Sequence, residues 1–123
     1  MIKKTFLFLF FFVSFLLAQT NIDLISNLDE YHSAGYNDIW GYVDPQGTEY
    51  ALLGVRTGTS IINLSDPANP VEVTFIPGPQ SIWRDIKVHG QYAYTITEQT
   101  GSGQGLQIID LSQLPTTATL VTT

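Results

Sequence analysis

The chain has 123 residues, no cysteine and a formal net charge of −6, with 11 carboxylates against 5 Lys and Arg. Without cysteine, a disulfide scaffold, a thiolate metal site and thiol catalysis are all excluded. The acidic balance excludes a sequence-independent hold on nucleic acid, which needs clustered basic residues, and the length has room for one small domain at most.

Composition is uneven along the chain. Six of the seven phenylalanines (Phe6, Phe8, Phe10, Phe11, Phe12 and Phe15) fall within the first fifteen residues. Residues 1–18 begin with the basic pair Lys3 and Lys4, continue in an apolar run broken only by Ser14, and end on small Ala18 before polar Gln19, Thr20 and Asn21. A charged start, an apolar middle and a small residue before a polar stretch form the secretory signal pattern, predicting an N-terminal signal helix over 1–18. The run falls short of the ~20 apolar residues a membrane-crossing helix needs. An uncleaved N-terminal anchor is the competing reading; otherwise no stable membrane span remains once the signal is removed. The expectation is an exported protein, secreted or held at the bacterial cell surface. Loss of Lys3 and Lys4 then deepens the net charge from −6 to −8.

A lead-in segment over 19–36 follows. Its apolar stretch 22–28 suits either a short strand or a single turn. From Asn37 onward, short β-branched and aromatic runs alternate with Gly, Pro, Asn and Asp, the pattern of an all-β chain. Strands are predicted at 38–42, 49–56, 59–63 and 71–76, then at 85–88, 92–97, 106–110 and 119–121. Turn signals separate them, among them Asp44-Pro45-Gln46-Gly47, Pro77-Gly78-Pro79 and His89-Gly90.

The two sets of four correspond. Asp38-Ile39 recurs as Asp85-Ile86, and Ile61-Ile62-Asn63-Leu64-Ser65 as Ile108-Ile109-Asp110-Leu111-Ser112, both at an offset of 47. Tyr50-Ala51-Leu52 recurs as Tyr92-Ala93-Tyr94 at 42. The first unit, 37–80, therefore has the longer first hairpin, and the second, 81–123, a longer glycine-rich loop. A repeat of about 40–50 residues with four short strands has the period of a β-propeller blade. A single eight-stranded sandwich is the alternative, but nothing in a sandwich calls for a fixed repeat. Two blades make an incomplete ring, since propellers close with about 4–8. The expectation is therefore a fragment whose partners include the remaining blades of a longer chain. An uncovered outer blade would expose an edge and an apolar face.

Four further segments carry a resemblance. Tyr-Asn-Asp-Ile-Trp-Gly-Tyr-Val-Asp over 36–44, Gly-Thr-Ser-Ile-Ile over 58–62, Asp-Pro-Ala-Asn-Pro-Val over 66–71 and Ser-Ile-Trp-Arg-Asp-Ile-Lys over 81–87 resemble the choice-of-anchor B family. Its members are exported bacterial proteins built from LVIVD-type repeats, and Leu-Gln-Ile-Ile-Asp-Leu-Ser over 106–112 is similar to the repeat core. The resemblance implies a propeller of several blades outside the cell, often followed by an anchoring or sorting region. It supplies no catalytic residues.

Five residues are candidates for ligand binding: Asp38, Trp40, Trp83, Arg84 and Asp85. Asp38 and Asp85 open the first strand of each unit, the strand nearest a propeller axis, where carboxylates could face a polar ligand. The alternative is that each caps a turn or bonds the neighbouring blade's backbone. Calcium would require more oxygen ligands than two blades offer. Trp40 and Trp83 could stack on a sugar ring, but packing between blades is the favoured expectation. Arg84 is expected to form a salt bridge with an aspartate of the adjacent blade rather than to clamp an anion.

Other motifs lead nowhere. His32 and His89 lack a second histidine at metal-ligand spacing, no Gly-x-Ser-x-Gly elbow is present, and Gly101-x-Gly103-x-Gly105 precedes a strand, unlike a phosphate cradle. Asn63-Leu64-Ser65 matches a glycosylation sequon but falls in a predicted strand. No catalytic residue, metal or cofactor is expected. The leading functional expectation is a non-catalytic surface module that binds protein or glycan. A hydrolase or lyase with its site in the propeller channel is the alternative.

Overall fold

A computed structural model describes residues 22–101 and 104–123; the predicted signal helix lies outside the described residues. Eight strands follow in chain order: β1 Tyr36–Val43, β2 Glu49–Val55, β3 Gly58–Asn63, β4 Val71–Pro77, β5 Asp85–His89, β6 Tyr92–Ile96, β7 Leu106–Asp110 and β8 Thr119–Thr122. They form two antiparallel four-stranded sheets, ordered β1-β2-β3-β4 and β5-β6-β7-β8. Each sheet is a meander of consecutive strands, and the innermost strands β1 and β5 lie next to each other. This is the arrangement of successive propeller blades and not the strand exchange of a Greek-key sandwich. Among the described residues no helix is long and apolar enough to cross a membrane.

The strands form where β-branched and aromatic residues alternate between faces. Leu52 pairs with Ile61 across β2 and β3, and Ala93 with Ile109 across β6 and β7. The core between the sheets joins Tyr50, Leu52, Ile61 and Ile76 of the first sheet to Ile86, Ala93 and Ile109 of the second. Burying each Leu or Ile side chain there is worth about 1.5–3 kcal/mol.

Local chemistry explains why the Ile-Ile-Asx-Leu-Ser motif repeats. The side-chain oxygen of Asn63 accepts the amide of Ser65 at 2.8 Å, and that of Asp110 accepts the amide of Ser112 at 2.8 Å. The following leucine amides then bond back across the sheet, Leu64 to the Glu49 carbonyl and Leu111 to the Gln91 carbonyl, each at 2.9 Å. The β1–β2 turn closes in a similar way. Asp44 accepts the amides of Gln46 at 2.9 Å and Thr48 at 2.8 Å, and Gly47 takes the left-handed φ of +87° that the turn requires.

Residues 22–28 form neither strand nor helical turn; the lead-in instead crosses the outer face of the first sheet. Tyr31 stacks on Phe75 at 5.4 Å between ring centroids, and its hydroxyl donates to Glu72 at 2.5 Å. The Ser60 hydroxyl donates to the same carboxylate oxygen at 2.5 Å. The segment thereby covers β3 and β4, while Ile39 and Val43 on β1 stay exposed.

Candidate functional site

The predicted residues divide between two places: the inner edge formed by β1 and β5, and the connection 78–84 between the sheets. At the inner edge, the amide of Ile86 donates to Asp38 Oδ2 and to Asp85 Oδ1, both at 2.9 Å. Asp38 thus bonds the backbone of the neighbouring sheet. Lys87 extends over this edge, its Nζ 2.7 Å from Asp85 Oδ1, 3.9 Å from Asp38 Oδ2 and 4.4 Å from the centroid of the Trp40 ring. The ammonium holds the Asp85 carboxyl below the usual carboxylate range, with Asp38 assisting. Lys87 thus supplies the local positive charge for the two carboxylates. Among the described residues no group of three His, Asp or Glu is placed to hold a metal ion.

Arg84 departs from expectation. It is 1% exposed and, among the described residues, makes no salt bridge to an aspartate. Its Nε donates to the Val55 carbonyl at 3.0 Å, Nη1 to Gln107 Oε1 at 3.2 Å and Nη2 to the Pro79 carbonyl at 2.5 Å. Gln107 in turn donates to the Pro77 carbonyl at 2.9 Å. The guanidinium is therefore a structural clamp that ties the connection to both sheets. Its planar fork reaches several oxygens at once, which a single-atom ammonium could not do. Burial lowers its pKa, and the negative charge of Glu98 opposes that shift.

The packing expectation fails for Trp83, which is 69% exposed, beside Ile82 at 54%. Both precede β5, so no strand pairing carries them into the seam. Trp40, 38% exposed, pairs in register with buried Leu52 and meets Lys87 of the neighbouring sheet across the inner edge.

The connection, the β2–β3 turn and the β6–β7 loop meet at one end of the molecule. They enclose a cleft of about 370 Å³ lined by Arg56, Gln80, Ser81, Ile82, Glu98 and Gln99. Ser81 anchors it: its amide donates to the Arg56 carbonyl at 2.9 Å, its carbonyl accepts from Asn37 at 3.0 Å, and its hydroxyl donates to Glu98. The Ser81 hydroxyl above all, outweighing desolvation, holds Glu98 below the ordinary glutamate range. The cleft therefore presents a fixed anion, the exposed Arg56 cation and two amide side chains, with an apolar rim at Ile82.

Sequence reasoning missed Ser81, Glu98 and Gln107. Glu98 has no counterpart in the first unit because it stands in the longer loop, and nothing in its neighbours marks it. The amide role of Gln107 depends on Arg84 being buried.

No curated protein and no solved structure matches the chain. A family model described as the LVIVD repeat matches residues 82–122, which span the end of the connection and the second sheet through β8. The repeat predicted from internal correspondence thus has a known counterpart in its second unit, and the two blade-like sheets agree with it.

Proposed function

We propose that this chain is an exported, non-catalytic repeat module of the choice-of-anchor B type that binds a glycan through the loop end of its sheets. The observation that carries the reading is Trp83, a large aromatic left 69% exposed, which follows directly on Ile82 of the polar cleft and whose amide donates to Ser81 Oγ at 3.0 Å. An indole has a flat apolar face on which a sugar ring can lie, and a cost attaches to leaving it in water. The cleft lined by the preceding residues Gln80, Ser81 and Ile82 supplies what sugar hydroxyls need: an ionised acceptor in Glu98, donors in Arg56 and both roles in Gln80 and Gln99. A general acid needs a carboxyl whose pKa is raised, whereas Glu98 and Asp85 are both shifted down. That arrangement suits binding better than acid catalysis. The signal pattern over 1–18 and the resemblance support export and a place at the cell surface.

A glycan array followed by titration calorimetry tests the proposal. The protein is expected to retain a defined set of glycans, and Trp83→Ala to weaken binding by roughly 30-fold, the effect of losing an anchor worth about 2 kcal/mol. No glycan bound above background, or equal affinity in Trp83→Ala, would overturn it.

A further inference from the structure

The cleft at the loop end holds two opposite charges that do not pair. Arg56 and Glu98 both line it, yet among the described residues the salt bridges all belong to Lys87. Their states differ. Glu98 is already engaged: Oε2 accepts the Ser81 hydroxyl, and Oε1 accepts the Ile82 amide and the Gln99 side-chain amide, each at 3.3 Å. Arg56 is exposed and uncommitted. Of the other two cations among the described residues, Arg84 belongs to the buried clamp and Lys87 to Asp85 and Asp38.

The main chain under Arg56 is fixed all the same. Arg56 and Thr57 form the two-residue turn between β2 and β3. The Arg56 amide donates to the Gly35 carbonyl at 3.2 Å and its carbonyl accepts the Ser81 amide at 2.9 Å, while the Thr57 carbonyl accepts the Gly78 amide at 2.9 Å. A guanidinium on a pinned turn presents its donors from a steady base. Its planar fork matches a carboxylate, which takes two of its N–H groups at once. Glu98 sets the polarity of such a ligand. Its negative charge keeps a second carboxylate off the connection side, while its remaining lone pairs accept hydroxyls.

Resting on the glycan-binding reading, we infer that the sugar held in this cleft is acidic, a uronic acid whose carboxylate lies on Arg56 and whose ring hydroxyls reach Glu98 and Gln80. Both walls of the cleft come from the two sheets and the connection between them, so the carboxylate clamp draws on no further blade. The net charge of −6 acts against an anion at a distance. At physiological salt that repulsion is screened over about 8 Å, so the contact at Arg56 decides.

A glycan array that prints each uronate oligosaccharide beside its carboxyl-reduced neutral form, followed by titration calorimetry of the full chain on the best pair, reads the outcome. The uronate is expected to bind roughly 10- to 100-fold more tightly than its neutral form, the range of one charge-assisted contact. Arg56→Ala is expected to lose that preference, and Arg56→Lys, which keeps the charge without the fork, to retain part of it. Trp83→Ala is expected to weaken both forms alike, since stacking on the ring needs no carboxylate. Arg56→Gln takes the place of Arg56→Ala if that variant's urea midpoint falls. Neutral forms bound as tightly as uronates, or a preference that survives the loss of Arg56, would overturn the acidic-sugar assignment and leave glycan binding standing. Binding to neither form overturns both.

Discussion

The guanidinium of Arg84 and the bare α-carbon of Gly78 depend on each other. A Cβ added at Gly78 would stand 2.5 Å from Gln107 Oε1 and 2.8 and 2.9 Å from Arg84 Nη1 and Nη2, closer than real carbons approach such atoms. Neither side chain can swing away without releasing its carbonyl partners, so the clamp would break or the connection would shift. Gly78→Ala is therefore expected to lower stability by about 1–3 kcal/mol, the usual cost of overpacking, as read by urea denaturation. An unchanged midpoint would show that the connection is slack. The sequence offered Arg84 as a charged neighbour of Asp85 and suggested an ion pair. Two of its three partners are backbone carbonyl oxygens, which belong to every residue type, so no sequence pattern could name them.

The lead-in is an element that the strand pattern left undefined, and its role comes from one tyrosine. Tyr31 lies on Phe75 and donates to Glu72; burial first, then that hydrogen bond, pushes its hydroxyl up to about 12. A raised pKa means that the folded state keeps the proton longer than the unfolded chain. The associated stability is whole below pH 10 and is lost as pH rises from 10 to about 12. Tyr31→Phe keeps the ring stack and removes the hydroxyl. It is expected to cost about 1 kcal/mol at neutral pH and to flatten the alkaline decline, measured as urea midpoints from pH 7 to 12. A variant with the parent's full alkaline slope would place that slope elsewhere. Strands were far more legible than this segment. Period-two alternation survives in any sheet, whereas a coil laid across a sheet follows no period and is held by contacts between residues 41 positions apart, as in Tyr31 and Glu72.

Across the whole molecule the carboxylates shape the response to acid. Asp44, Asp66, Asp85, Glu98 and Asp110 all have lowered pKa values. For Asp44, burial pushes upward but the Thr48 and Gln46 amides outweigh it; for Asp110 the Ser112 amide leads, and for Asp66 the Asn69 side chain. A depressed pKa contributes stability above the unfolded value and loses it as pH falls through the folded one. Because the unshifted values are 3.8 for Asp and 4.5 for Glu, stability should hold from pH 7 to about 5 and fall below that. Equal urea midpoints at pH 7 and about 5, with a lower one near pH 3, are the expected result. A midpoint unchanged near pH 3 would mean these turns contribute nothing.

At this scale the division of labour between sequence and tertiary structure is clear. By itself the sequence determined the all-β class, the eight strands to within a residue or two at most ends, and the two-unit repeat. All of these follow from local alternation, from turn residues and from the Asx-Leu-Ser bond that each unit needs to close its third strand. The acidic character of the part beyond the signal pattern is likewise plain from counting. Only the tertiary structure decided that Arg84 is a buried clamp, that Trp83 stands in the open, and that Glu98 and Ser81 meet in one cleft. Exposure and pairing across the seam depend on which blade lies next to which, and that is set by packing between residues distant along the chain, not by any pattern within it.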